Sequence, residues 1–522
     1  MLNNFVKSAS LQRWFYVFVF FHVFLWTLIP ASVRYTLPMD AMEGTTWGHQ
    51  LLLGYDKNPF LNAWLTRLAL FLNDGSVWTI YLFSQLSVAI CFWATFSLGK
   101  KILPPIYALI GVLLLESIQY YNLHAIDFND NTLELALWSL TILFFYQASL
   151  KNKLSDWLLT GLFAGLGMMA KYYTAMLLIP MGLFLLMNSI ARQQLKHLKI
   201  YAGLLVFIAI ILPHTIWLFF HDFITIHYAI GRVSNAPALL NPLLNHLQSP
   251  LRFTWQQFEV LLPALFLFAI LLLNKKPALT TLPPLNNFDK TFLFWVGAGP
   301  FLLTVLLSVF FGMKLRAGWG QPLFSLWGII LIRTFTPRLS REGLISFLGL
   351  LAALSIVMMS VYSIALIRAK EHSSANFPGQ IIARELTQQW EKKYHTPLGF
   401  VAGPRWIAGN IAFYSHDHPD VYIDWDNKIS SWIHENELRK TGAIFVWDPT
   451  EAIQISEKDI RARFPELGEV NIMHFFWMRN NKMKPIEIKV AFLPPSPFTE
   501  FHKKPVEEGE ASQSHHPTLL SS

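Results

Sequence analysis

Eleven apolar segments divide the first 367 residues of this chain and restrict its folds more than any other feature. A helix that crosses a bilayer needs roughly 20 mainly apolar residues, and in lipid every backbone polar group must be paired within the protein. Because the segments are too long for barrel strands, the sequence predicts membrane-spanning helices. Only 14% of the residues are charged, whereas soluble proteins carry about a quarter. The predicted spans are 14–33, 77–98, 102–120, 132–150, 156–170, 174–190, 199–220, 255–273, 291–311, 317–334 and 343–367.

The lysines and arginines between these segments predict the orientation of the chain. With the N-terminus in the cytoplasm, the cytoplasmic segments hold 15 of these residues, and the longer outer segments hold 8. A net charge of +8 could suggest nucleic acid, but basic residues spread over short loops argue against that partner. An odd number of spans puts the C-terminal region outside. The sequence therefore predicts a multi-pass protein of the inner membrane, with its C-terminal part in the periplasm of a Gram-negative cell.

The composition changes after the last apolar segment. Residues 1–367 are predicted to form a transmembrane domain with an outer loop at 34–76, and residues 368–493 a small α/β domain. The residues after 494 are rich in Ser, His, Glu and Pro and are predicted to be disordered. The elements predicted for the outer domain are an amphipathic helix at Pro378–Tyr394 and strands at Leu398–Val401, Val421–Ile423, Ala443–Trp447, Val470–Phe476 and Ile486–Ala491.

The outer loop is too long for a simple connection and has a helical pattern of its own. Apolar residues recur at helical spacing between Phe60 and Leu72, which predicts a helix lying in the membrane interface. Asn58 suits its N-cap and Pro59 its first position. A weaker pattern predicts a second interfacial helix at Met42–Leu53.

Two carboxylates in this loop, Asp40 and Glu43, are candidate catalytic groups. They are three residues apart, so a helical turn would put them on one face. In a sugar transfer one carboxylate can take the proton from the attacking hydroxyl, while its partner positions the acceptor. The alternatives are structural: Asp40 could cap a helix that begins at Ala41, and Glu43 could be a solvated residue of a first turn.

Lys57 follows Asp56 just before the predicted helix. A lysine at a helix N-terminus is unfavourable for the helix dipole, but lysine and free backbone N–H groups together suit a phosphate. Contact with a lipid headgroup is the alternative.

The run Asp40-Ala41-Met42-Glu43, followed by the stretch from Gly54 to Leu65, resembles the first periplasmic loop of bacterial GT-C glycosyltransferases. The most similar members are the protein O-mannosyltransferase-like group, which includes the lipid A aminoarabinose transferase. The number of helices, the outer loop and the outer domain agree with this resemblance. It implies a GT-C architecture and a polyprenyl-phosphate sugar as donor, without a nucleotide sugar.

The resemblance also implies roles for individual residues. Asp40 would be the base, and Asp56 and Lys57 match an acidic-Lys-Pro stretch near the donor phosphate. Asn58 stands between Lys57 and the proline here, which departs from that pattern. Tyr55 and Asp56, in the same run, are candidates for binding the sugar or the acceptor.

Further candidates lie in later outer segments. Asp130, just before the fourth span, matches an acidic residue of the family and could bind a sugar; the alternative is an N-cap formed by Asp130 or Asn131. Three cations lie on the outer side against the general charge trend, and a donor or acceptor phosphate would give them a partner. The alternative is contact with anionic headgroups. These cations are Lys171, Lys314 and Arg316.

Metal binding is not required by the pattern. Asp40, Glu43 and Asp56 could hold a divalent cation, and no cofactor is otherwise predicted. His214, His221 and His227 lack a zinc-site spacing, which favours a structural role at the interface. Arg405 and Trp406 could guard the acceptor, although packing between domains is the preferred interpretation.

Together these features predict a membrane glycosyltransferase that moves a sugar from a polyprenyl-phosphate donor to a lipid, glycan or protein acceptor of the envelope. The first alternative is a transporter or flippase of lipid-linked sugars, which should place charges near mid-membrane. The charges here gather at the outer face and favour the enzyme. An O-antigen-type ligase, with the same class of donor, is the second alternative.

Overall fold

The computed structural model describes residues 8–73, 75–234, 242–273, 279–369, 373–448, 457–479 and 483–496. The tail predicted to be disordered lies outside these ranges from residue 497 onward. The helices within them are α1 (Ser8–Val33), α2 (Met39–Gly48), α3 (Leu61–Phe71), α4 (Trp78–Ile102), α5 (Pro105–Glu116), α6 (Asp130–Lys151), α7 (Leu154–Ala170), α8 (Ala175–Met187), α9 (Ser189–Gln193), α10 (Leu198–Phe220), α11 (Ile224–Ser234), α12 (Pro242–Leu273), α13 (Asn287–Phe292), α14 (Gly299–Phe311), α15 (Trp327–Phe335), α16 (Arg341–Ile367), α17 (Gly379–Tyr394), α18 (Arg405–Tyr414), α19 (Glu435–Thr441) and α20 (Glu457–Arg463). Short 3₁₀ helices lie at Gln119–Tyr121, His124–Ile126, Tyr172–Thr174, Gln194–Lys196, Ala317–Phe324 and Ser374–Asn376, and a π-helical stretch at Leu293–Ala298 joins α13 to α14.

Helical structure lies at each of the eleven predicted spans, but not as eleven uniform helices. Within the described residues, seven helices are long and apolar enough to cross a membrane, or up to nine if two sharply bent pairs each count as one span. The eleven predicted segments are therefore helical but differ in length, and some are bent. Two of the segments fall short because α7 has only 17 residues and the tenth segment is a 3₁₀ helix, Ala317–Phe324, followed by the short α15.

Close helix packing fixes the part of the bundle that carries Lys171. The α7 helix crosses α10 at two facing glycines, where a Cβ on Gly161 would lie 1.9 Å from the carbonyl oxygen of Gly203. Small residues allow such an approach between helices in a membrane. Since α7 ends at Ala170, this crossing sets the position of the lysine that follows.

The five predicted strands form one sheet in the order β2-β1-β3-β5-β4. They are β1 (Phe400–Gly403), β2 (Asp420–Ile423), β3 (Ala443–Trp447), β4 (Asn471–Phe475) and β5 (Ile486–Leu493). β1 is parallel to β2 and β3, whereas β5 runs antiparallel to β3 and β4. The predicted amphipathic helix is α17, which buries Leu386 and Trp390 against this unit.

The outer loop and the sheet unit lie on the same side of the helical bundle. The N–H of Tyr35 donates to the carbonyl of Ala375 at 2.8 Å, and the hydroxyl of Thr36 donates to the side-chain oxygen of Asn410 at 2.8 Å. This agrees with an odd total number of spans, because one span precedes the outer loop and an even number then separates it from the sheet unit.

Both helices predicted in the outer loop are present, with shifted starts. The α3 helix begins at Leu61, with Phe60 as its N-cap, so the prediction that Asn58 is the cap is wrong. The reason is a turn before it, in which the N–H of Tyr55 donates to the carbonyl of Asn58 at 3.0 Å. The α3 helix buries small and polar residues and exposes Leu68 and Phe71, as expected of a helix facing lipid at the interface.

Candidate active site

A cavity of about 560 Å³ lies where the outer loop meets the outer ends of the helical bundle. Six of the nine predicted site residues line it: Asp40, Glu43, Lys57, Asp130, Lys171 and Arg316. Other lining residues include Trp47, Asn58, Asn62, Asn129, Asn131, Tyr172, Tyr173, Tyr228, Arg232, Thr304 and Trp319. Charged, amide and aromatic side chains therefore converge in one space, as sugar and phosphate recognition requires.

The α2 helix supplies one wall of the cavity. It begins at Met39, so Asp40 lies in its first turn and is not its N-cap, which excludes the structural alternative for this residue. Asp40, Glu43 and Trp47 line the cavity from one helix face, as the spacing of the two acids predicts. Desolvation by the surrounding protein, and then the negative charges of Asp130 and Glu43, raise the pKa of the Asp40 carboxyl. A raised pKa makes this carboxylate a better proton acceptor.

A second carboxylate, Asp127, holds the start of α2 from outside that helix. Its Oδ1 accepts a hydrogen bond from the N–H of Ala41 at 2.9 Å. Two residues on, the Nδ2 of Asn129 donates to Oδ2 of Asp40 at 3.0 Å. Burial, and then the nearby charge of Asp40, raise the pKa of Asp127 to about 8. The loop before α6 therefore fixes both the backbone and the carboxyl group of Asp40.

An ion-pair network joins the outer loop to the sheet unit. Oε1 of Glu43 accepts from Lys57 at 2.6 Å and from Arg405 at 2.8 Å. Arg405 also forms a two-point contact with the carboxylate of Asp56. Burial alone would lower the pKa of Arg405, but Asp56 and Glu43 outweigh burial and raise it. Arg405 thus connects the two parts of the chain, which is the interpretation preferred from the sequence. One of its partners, Glu43, lines the cavity.

The part of the cavity wall next to α2 carries Lys171 and Asp130. The Nζ of Lys171 lies 2.8 Å from Oδ2 of Asp130, and it also donates to the side-chain oxygen of Asn131. The N-cap of α6 is Asn129, whose side chain accepts from the N–H of Thr132 at 3.1 Å, so the capping alternative for Asp130 or Asn131 is wrong. Asp130 is left to neutralise Lys171.

Two arginines form a separate cationic region. Arg232 lies over the ring of Tyr228 at 5.6 Å from its centroid, and Lys57 lies over the same ring at 5.9 Å. Arg316 lines the same cavity, and its Nε is buried without a hydrogen-bond partner. Burial, and then the positive charge of Arg232, lower the pKa of Arg316. In the ranges described, neither guanidinium pairs with a carboxylate, in contrast to Lys57, Lys171 and Arg405.

Three predicted site residues, Tyr55, Asp56 and Lys314, do not line this cavity. The hydroxyl of Tyr55 donates to the carbonyl of Trp47 at 2.9 Å, and its ring stacks on that residue, so Tyr55 braces the outer loop. Asp56 is turned toward Arg405. Lys314 is not among the lining residues, although its backbone N–H bonds to Val233 at the cavity edge.

The three histidines do not gather around a common point. The Nδ1 of His214 lies 2.7 Å from the carbonyl of Leu53, and His221 stacks on Trp217 with ring centroids 4.0 Å apart. Among the residues with a described position, the one group of three potential metal ligands is Glu391, His416 and Asp417, on the outer unit. The structural interpretation of His214 and His221 is therefore the better one.

The sequence reasoning missed Trp47, Asp127 and Arg232. Trp47 could have been found, since it lies four residues after Glu43 on the same helix face. Arg232 could have been found as an outer-side arginine close to an aromatic residue. Asp127 carried no signal, because only the folded chain brings it to the start of α2.

Comparison with known proteins supports the resemblance. Residues 57–217 match the dolichyl-phosphate-mannose-protein mannosyltransferase family. The lipopolysaccharide core galacturonosyltransferase RgtA of Rhizobium johnstonii is 23% identical over 186 residues, which cover 35% of this chain and 37% of RgtA. The match thus spans little more than a third of that relative. Asp40 and Glu43 lie before the region matched by the family.

Two crystal structures share the fold of nearly the whole chain. ArnT from Cupriavidus metallidurans bound to undecaprenyl phosphate superimposes with a TM-score of 0.59 at 13% identity, covering 92% of this chain and 98% of ArnT. The apo form gives a TM-score of 0.55 at 12% identity with the same coverage. The predicted GT-C resemblance and fold class, a multi-pass helical membrane protein with a small C-terminal sheet region, are confirmed.

Proposed function

We propose that this chain is a glycosyltransferase that moves a sugar from a polyprenyl-phosphate donor to an acceptor of the cell envelope. The observation that carries the proposal is the cavity itself, where Asp40 on α2 shares one space with the arginine pair. Support comes from the fold of an ArnT structure that holds undecaprenyl phosphate. The site would face the periplasm from the inner membrane, in keeping with the charge distribution between spans.

The donor phosphate is assigned to the arginine pair, Arg232 and Arg316. Lys171 and Lys57 were predicted as phosphate ligands, but both already neutralise a carboxylate. Arg232 and Arg316 keep their charge available, and guanidinium groups match the geometry of phosphate oxygens. Arg316 has a buried Nε without a partner, which a phosphate oxygen would satisfy. These cations would stabilise the negative charge that develops on the leaving polyprenyl phosphate.

Asp40 is proposed as the base. Its carboxylate would take the proton from the acceptor hydroxyl as that oxygen attacks the anomeric carbon and the bond from this carbon to the phosphate oxygen breaks. Asn129 fixes its orientation at 3.0 Å. Glu43, held between Lys57 and Arg405, is a positioning group in this scheme, because its Oε1 is already engaged by both cations.

No divalent cation is required in this proposal. Arg405 and Lys57 already supply the positive charge that a cation would bring to Glu43 and Asp56.

The test uses purified full-length protein in lipid nanodiscs, with an undecaprenyl-phosphate sugar as donor. Extracts of lipid A and of envelope glycans serve as acceptors, and products are identified by mass spectrometry. We expect undecaprenyl phosphate to be released and the sugar to appear on one acceptor class. A flippase would leave the bond between sugar and phosphate intact, so a donor that stays unchanged with every acceptor extract would refute the enzymatic proposal.

A further inference from the structure

A polar cluster lies inside the membrane-spanning part of the bundle, away from the cavity that holds Asp40. His22 on α1, Gln85 on α4 and Glu116 at the end of α5 are 4%, 0% and 5% exposed. Ionisable side chains among lipid-facing helices are expensive and are retained for a purpose. None of the three lines the active-site cavity.

The cluster holds a sharp bend in the chain. After Glu116 the helix axis turns by 86° into the 3₁₀ helices that lead to residue 126. Irregular backbone at this depth must find partners within the protein. The carbonyl of Ala125 accepts from the hydroxyl of Ser84 at 2.5 Å and from Nε2 of Gln85 at 2.7 Å.

The direction of each bond can be read from these contacts. Because Nε2 of Gln85 donates to Ala125, its Oε1 must accept, and the partner at 3.1 Å is Nε2 of His22. His22 therefore carries a proton on Nε2. Its Nδ1 lies 2.6 Å from Oε2 of Glu116, so those two groups share one further proton. Glu116 thereby keeps His22 in the form that orients Gln85.

The bend leads directly to the active site. Asp127, two residues after Ala125, accepts from the backbone N–H of Ala41, which adjoins Asp40. A continuous set of hydrogen bonds thus runs from Glu116 through His22 and Gln85 to the loop that orients Asp40. We propose that Glu116, His22 and Gln85 are positioning residues. From within the membrane-spanning bundle they fix the loop that carries Asp127, and through it the orientation of the Asp40 carboxylate. This inference rests on the proposed function.

Variants of Glu116 separate positioning from simple packing. In Glu116→Gln the new amide can donate to Nδ1 of His22 and preserve the proton on Nε2, whereas Glu116→Leu cannot. We expect Glu116→Gln to stay within about threefold of the wild-type kcat, because it can make the same bond. We expect Glu116→Leu and Gln85→Leu to lose at least about tenfold in kcat, since a misplacement of 1 Å can cost about 100-fold.

A matched serine pair covers the case in which the leucine variants fail to fold. Ser84→Ala removes one of the two donors to Ala125, and we expect a smaller loss of kcat. Ser87→Ala, on the same helix, removes a hydroxyl whose one hydrogen bond among the described residues is to the carbonyl of Phe83 at 3.0 Å, and we expect it to behave as wild type.

The experiment combines donor kinetics with hydrogen–deuterium exchange of full-length protein in nanodiscs. We expect Gln85→Leu and Glu116→Leu to speed exchange in residues 119–132 and also in residues 39–48. Both variants should lower kcat with little change in donor KM. The acid limb of their pH profiles should move to lower pH, because a displaced Asp40 is better hydrated. Unchanged exchange in residues 39–48, or equal losses for Glu116→Gln and Glu116→Leu, would overturn the inference. If the wild type transfers no sugar, hydrogen–deuterium exchange still tests whether the Glu116 cluster is coupled to residues 39–48. Failure of the proposed function is therefore distinguishable from failure of this inference.

Discussion

Replacing Asp40 by Asn tests the proposed base with the smallest change of shape. The amide can still accept the bond that Asn129 donates at 3.0 Å, so α2 should keep its place. A general base contributes about 10²–10⁴-fold to a rate, which corresponds to about 3–5 kcal/mol of activation free energy. We expect kcat for transfer to fall by that factor and donor KM to change little, because the donor phosphate is assigned to Arg232 and Arg316.

The pKa of Asp40 provides a second, independent test of the same assignment. This pKa is raised by desolvation and by the negative charges of Asp130 and Glu43. Transfer needs the deprotonated form, so wild-type activity should fall as the pH drops through the raised value. The same raised pKa means that ionised Asp40 destabilises the folded state at neutral pH. This destabilisation disappears at pH values below the pKa of aspartate in the unfolded chain. Asp40→Asn should therefore melt at the same temperature as wild type or higher at pH 7–8.

The assay follows release of undecaprenyl phosphate from an undecaprenyl-phosphate sugar, together with thermal unfolding by tryptophan fluorescence. Asp426→Asn is the matched control, because its Oδ1 bonds to the N–H of Lys428 on the outer unit, outside the cavity lining. If folded Asp40→Asn retains activity within about threefold of wild type, the base assignment is refuted, since that is far below the loss expected for a general base.

The remaining predictions concern charge in and beside the cavity. Arg232→Met and Arg316→Met should each raise donor KM by about 10–100-fold, because a hydrogen bond to a charged group contributes about 1.5–3 kcal/mol; unchanged KM in both would contradict the phosphate assignment. Arg405→Met should lower the melting temperature, because it leaves Asp56, which is 6% exposed, without its cation. The double variant with Asp56→Asn should recover much of that loss, and additive losses would argue against direct pairing. Dialysis against EDTA should leave the transfer rate unchanged, and loss of activity restored by Mg²⁺ or Mn²⁺ would contradict the assignment of that charge to Arg405.

The fold was largely predictable because a bilayer simplifies the physics of the sequence. A long apolar run in lipid has little choice except a helix, so helical structure lies at all eleven predicted segments. The five strands also follow from their apolar pattern. The unequal lengths and the bends of the spans were not predictable, because the 86° bend after Glu116 depends on side chains from α1 and α4 that satisfy its backbone.

The site was predictable only where helical spacing connects its residues. Asp40 and Glu43 share a face of α2 by their separation of three. The contact of Tyr55 with Trp47 was not predictable, because the motif gives a residue type but not the direction of its side chain. Asp127 contacts α2 from a loop that is 86 residues away from Ala41 in sequence, and no local pattern encodes such a contact.

The distribution of charge in the cavity also predicts how a donor would lie in it. On the side of α2 and α6, each cation is matched by an acid: Lys57 by Glu43, and Lys171 by Asp130. A phosphate placed there would have to compete with a carboxylate already at 2.6–2.8 Å. On the side of Arg232 and Arg316 it would meet two positive groups without that competition. The lipid phosphate should therefore lie toward α11, and the anomeric carbon should point toward Asp40, which is the orientation that lets an acceptor hydroxyl be deprotonated as the leaving phosphate is stabilised.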